Sequence, residues 1–274
     1  MAQYDKTQNQ LVVNYMYLRK TVGWVGTLLP IILIAGNAIF FTTVLPDSMS
    51  SYYYTNMRNV FVGSLCALGV FLIAYVGYDD ADRWITNVAG AAAIGVAFCA
   101  TKPTVCGTSA LTCGPPAVRS LTLEQEIVGD VHLGLAAVAF LGLGAMAMRF
   151  AKLPPSPEPR PPGPLYWLRD SLGYPLPGQP DMRGPDEKRD DVIYRVCGAA
   201  IVICVVLAAL ANLLPQSFKN DVPVLFILEA LAVFAFGVSW FVKGQTLIPA
   251  LRARIQRRRM LREAAALPPV PAGS

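Results

Sequence analysis

Apolar residues in this chain gather in long blocks rather than in alternating stripes. Six blocks are long enough to cross a bilayer as helices: 24–45, 57–77, 84–100, 127–149, 193–214 and 222–242. A helix rises ~1.5 Å per residue, so about 20 apolar residues cover ~30 Å of hydrocarbon. The third block is short, and Trp84 at its start reads as an interface anchor. The pattern predicts an all-α, polytopic bundle of six transmembrane helices.

The polar stretches between the blocks divide the chain further. Residues 1–23 form a polar, basic N-terminal segment with no apolar run leading to a small-residue cleavage site, so no cleavable leader is expected. Helices one to four occupy 24–149 and helices five and six occupy 192–244. Between them, 150–191 is a Pro-rich linker holding 11 of the chain's 22 prolines. Proline fixes φ and removes a donor, so this linker is expected to be an extended tether, with Tyr166, Trp167 and Leu168 dipping into the interface. Residues 245–274 form a basic tail whose arginines suit an anionic leaflet, at about 1 kcal/mol per charge.

Charge sets the orientation. With the N-terminus inside, 19 of the 23 Lys and Arg lie on the inner side; only Arg58, Lys102, Arg119 and Lys219 lie outside. The positive-inside rule therefore predicts N-in/C-in. Composition agrees with a membrane protein: 54% of the 274 residues are hydrophobic and 15% charged, with a mean hydropathy of +0.44. The net charge of +5 sits in the inner segments, where lipid rather than nucleic acid is the expected partner.

Cys66, Cys197 and Cys204 fall within spans, where a thiol behaves as a small hydrophobe. Cys106 and Cys113 lie in the outer loop VCGTSALTCG, on the oxidising side, and a disulfide between them is expected. Their spacing is not that of a zinc site, and His132 is the chain's one histidine. No metal or cofactor is expected.

Ionisable groups inside a bilayer cost several kcal/mol unless paired or wetted, which marks them as candidate sites. Here they fall in the outer halves of the spans: Arg58, Asp130, His132 and Glu229. Beside them runs PDSMSSYYYTNMRNVF, whose Tyr52, Tyr53 and Tyr54 cannot all face the headgroups. The simplest assembly pairs Arg58 with Glu229 or Asp130, completed by His132 and tyrosine hydroxyls. Arg58 would offer a bidentate fork to a carboxylate or phosphate headgroup. Gly90, Gly95, Gly134, Gly142 and Gly144 would let spans three and four pack closely as one wall.

The leading expectation is a pocket in the outer leaflet that binds a lipid or small amphiphile. A charge network that merely locks the helices competes with it. So do a membrane hydrolase with His132 as base and Asp130 orienting it, and a proton-coupled transporter using Glu229. The ligand and the oligomeric state stay open.

The run SSYYYTNMRNVFVGSLCALGVFLIAY, followed by YD, and the later LEALAVFAFGVSWFVKG resemble a group of uncharacterised bacterial six-span membrane proteins. That resemblance implies the same topology and a bacterial plasma membrane. More distantly, Ser51, Asp130 and His132 are similar to the Ser, Asp and three His of the CREST superfamily of membrane hydrolases and receptors. This chain departs from that pattern in lacking two of the histidines and a seventh helix.

Overall fold

The structure, a computed structural model, describes residues 2–41, 45–77, 79–105, 117–118, 120–151, 185–211 and 222–244. Among the described residues six α-helices carry the fold: α1 (Ala2–Phe40), α2 (Arg58–Ile73), α3 (Asp80–Phe98), α4 (Leu123–Arg149), α5 (Pro185–Ala211) and α6 (Val224–Gly244). A 3-10 helix, Met49–Tyr54, lies between α1 and α2. Two-residue strands β1 (Thr104–Val105) and β2 (Ala117–Val118) pair in parallel in the α3–α4 connection.

Among the described residues, four helices are long and apolar enough to cross a membrane: Arg19–Phe40 within α1, α4, Lys188–Ala211 within α5, and α6. The chain is a helical membrane protein. At 16 residues α2 rises about 24 Å, less than the hydrocarbon thickness. The first turn of α3 carries Asp80 and Asp82, which suit the positive end of the helix dipole, and the Asp79 side chain caps it by accepting from Asp82 N at 2.9 Å.

Several boundaries differ from expectation. The second block ends as helix at Ile73 rather than 77, and α3 begins at Asp80 rather than 84, because Asp79 caps a turn the hydropathy pattern could not see. The linker was expected to reach 191, but α5 starts at Pro185. Proline suits the first helical position. Residues 152–184, with Tyr166, Trp167 and Leu168 expected at the interface, and the tail from 245 lie outside the described residues.

Glycines set the helix spacing. A Cβ on Gly69 of α2 would stand 2.7 Å from the Gly90 carbonyl of α3, and one on Gly90 would stand 2.6 Å from the Gly69 carbonyl. Backbones this close exclude any side chain. Gly26 of α1 meets Gly237 of α6 in the same manner, a Cβ there lying 3.0 Å from the Gly237 Cα. The expected α3–α4 glycine wall is therefore redistributed. Gly95 and Gly142 do face α4 and α3, against Leu135 and Ala89, but Gly90 serves α2, Gly144 serves α5 and Gly134 faces open space.

The buried side chains form two clusters. One cluster holds Leu29, Leu33, Met49, Tyr52, Phe61 and Phe226; the other centres on Tyr75, Phe150, Tyr194, Phe236 and Trp240. Outside them Ile31, Ile39, Val70, Ile203, Leu207 and Phe234 point away from the protein. Such a girdle suits lipid tails and would be a liability in water.

Candidate functional site

Where α6 begins, the Phe226 N–H donates to the Asp47 carbonyl at 3.0 Å and ties the helix to the loop after α1. Ser48 then caps the 3-10 helix, its Oγ accepting from Ser51 N at 3.1 Å. Glu229 lies one and a half turns into α6. Its Oε2 accepts from Met49 N at 2.6 Å and from Ser50 N at 3.3 Å. These donors are among those a helix leaves unsatisfied at its start, so the carboxylate is stabilised by backbone alone.

The expected pairing of Arg58 with Glu229 or Asp130 is not formed. Arg58 donates to Tyr53 Oη at 2.5 Å, and its guanidinium lies 4.0 Å from that ring's centroid. Asp130 instead meets Lys102 at 2.6 Å, and both side chains are exposed. The reason is position: Arg58 is the first residue of α2 and stands in solvent, whereas Glu229 faces inward from α6.

The tyrosines diverge. Tyr54 donates to the Thr101 carbonyl at 2.6 Å. Tyr52 is fully buried against Phe226, with no hydrogen-bond partner for its hydroxyl. Burial pushes the Tyr52 phenol up to about 12. Tyr54 is also raised, first by burial and then by Tyr53, with Arg58 opposing. His132, buried on α4, holds its Nδ1 2.6 Å from the Cys99 carbonyl at the end of α3.

A cavity of about 720 Å3 opens between α4, α5, α6 and the 3-10 helix. Its polar rim includes Asp47, Ser48, Ser51, Thr101 and Lys102; His132 and Glu229 lie on the wall. Deeper, the wall is apolar: Leu133, Ala137, Phe140, Val205, Ala208 and Leu228. Past Glu229, Ala136 and Phe140 a second hollow of about 50 Å3 continues among Leu65, Leu68 and Phe236. Of the expected site residues, His132 and Glu229 line the cavity. Tyr52, Tyr53, Tyr54, Arg58 and Asp130 do not, though Asp130 holds the rim residue Lys102.

The opposite end carries a polar assembly that hydropathy alone does not distinguish from flanking charge. Arg149, 9% exposed at the last turn of α4, donates through Nε to Asp82, 1% exposed, and through its terminal nitrogen to both Asp79 oxygens at 2.8 and 2.9 Å. Arg19 donates to Tyr75 Oη at 2.9 Å and Lys243 to the Phe150 carbonyl at 2.8 Å. Tyr75 and Phe150 both pack edge-on to Trp240, at 4.9 and 5.2 Å. The signal in the sequence is DDAD at the start of α3 opposite an Arg at the end of α4, where antiparallel neighbours bring them to one depth.

Cys66, Cys99, Cys197 and Cys204 are free thiols, while Cys106 and Cys113 lie outside the described residues. No known protein family, curated protein or solved structure matches the chain.

Proposed function

We propose that this protein binds a lipid or small amphiphile in the cavity above Glu229, within a six-span, N-in/C-in bundle of a bacterial plasma membrane. The observation that carries the reading is the cavity itself. Its 720 Å3 falls within the usual range for ligand sites, and it joins a polar mouth to an apolar interior. An amphiphile has the same two-part character. The charge imbalance favours placing this mouth in the outer leaflet, and a Cys106–Cys113 disulfide would then close the adjoining loop.

A hydrolase is the second reading, since Ser51 and His132 share the cavity. Two contacts favour binding over hydrolysis. Ser51 Oγ shares a hydrogen bond with Ser48 Oγ at 2.9 Å, and Asp130 turns to Lys102 rather than to His132.

Filling the cavity tests the proposal. Ala208→Trp and Ala137→Phe add bulk to its wall and should strip co-purified lipid, measured by native mass spectrometry. Arg58→Ala lies off the cavity and should leave lipid content unchanged. Equal lipid in all four proteins would refute the site.

A further inference from the structure

The charges facing the cavity differ from those the sequence led one to expect, and the difference bears on the ligand's head. Arg58, the cation anticipated here, is engaged with Tyr53 and does not reach the wall. Among the described residues, the basic groups on the wall are Lys102 and His132. Asp130 neutralises Lys102 at 2.6 Å, and His132 turns Nδ1 to the Cys99 carbonyl.

Glu229 is placed otherwise: it stands on the wall where the cavity meets the deeper hollow. Both backbone donors to Glu229 use Oε2. Oε1 takes no hydrogen bond from the described residues, and Glu229 forms part of the cavity wall. A carboxylate oxygen beside apolar walls attracts a cation strongly.

Building on the amphiphile reading, we propose that the ligand's head is cationic, an amine or quaternary ammonium seated on Glu229 Oε1. Its chain lies along Leu133, Phe140 and Val205. The Lys102–Asp130 pair keeps the rim from repelling the head.

The test uses the full chain in maltoside micelles and three probes of equal tail length, each below its micellar concentration: dodecyltrimethylammonium, dodecanoate and dodecanol. Binding is read from the shift in thermal midpoint with probe concentration. The ammonium probe should stabilise most. Glu229→Gln keeps an oxygen for the Met49 and Ser50 N–H groups while removing the charge, so ammonium affinity should fall about tenfold and dodecanol should be unaffected. Asp130→Asn leaves the core untouched and frees the Lys102 charge. It should weaken the ammonium probe and strengthen dodecanoate, which decides the matter if Glu229→Gln does not fold. Preference for dodecanoate or dodecanol in the wild type would overturn the cationic head while leaving the amphiphile reading intact. No stabilisation by any probe would overturn both.

Discussion

Three consecutive tyrosines occupy one turn of 3-10 helix, where successive side chains point about 120° apart. Tyr53 takes Arg58, Tyr54 takes the Thr101 carbonyl, and Tyr52 enters the core. A buried hydroxyl without a partner is destabilising by about 1–3 kcal/mol, so Tyr52→Phe should raise the thermal midpoint. Alkali adds a second signature. With the folded phenol near 12 and the unfolded one at 10.0, the unfolded chain loses its proton first. Stability should fall as pH rises from 10 towards 12, and less steeply in Tyr52→Phe. Charge pairs divide in the same way. Arg149→Ala strands the buried Asp82 and should cost about 3–5 kcal/mol, with the Arg149/Asp82 double alanine variant losing less than the sum. Arg58→Ala and Glu229→Ala do not touch and should add to within ~0.5 kcal/mol; a coupling between them in denaturation measurements would contradict the geometry. The sequence showed which side chains were polar at depth. It could not show that Glu229, His132 and Tyr54 would satisfy themselves on backbone groups, since every residue offers those and none is distinguished by its letter.

At the scale of elements, each apolar block falls on one of the six described helices because the length of an apolar run reports burial from water directly, although α1 begins at Ala2, well before the block at 24. Their ends were less legible. Caps such as Asp79 and the Thr122–Gln125 capping box at α4 depend on one or two side chains within polar runs. Glycine partners were legible only in part, since a small residue announces a close approach without saying to which neighbour. Gly90→Leu should separate α2 from α3 and lower stability sharply, because the obstructing atom is a backbone carbonyl. Gly134→Ala meets nothing within 4 Å and should be neutral or stabilising. Circular dichroism melts of both variants in detergent measure the contrast, and an equal loss would mean the helix pairing is wrong.

For the whole molecule, the topology can be tested with single cysteines at positions now held by Thr108, Asp170 and Val270, in a variant lacking the other cysteines. An impermeant maleimide should label the first from outside intact cells and the other two only after lysis; external labelling of Asp170→Cys would invert the proposed orientation. In unreduced wild-type peptides, mass spectrometry should find Cys106 linked to Cys113. One end of the bundle holds an open cavity. At the other, Arg149, Asp79 and Asp82 sit with Tyr75, Phe150 and Trp240 as a packed layer under the membrane-spanning helices. For the proposed amphiphile, such a layer would make the site a vessel that samples the occupant's chemical potential on one side of the bilayer only. A ligand gradient across the membrane would then do no work on the protein, and occupancy in sealed vesicles should follow the concentration at the mouth, whatever is loaded on the far side.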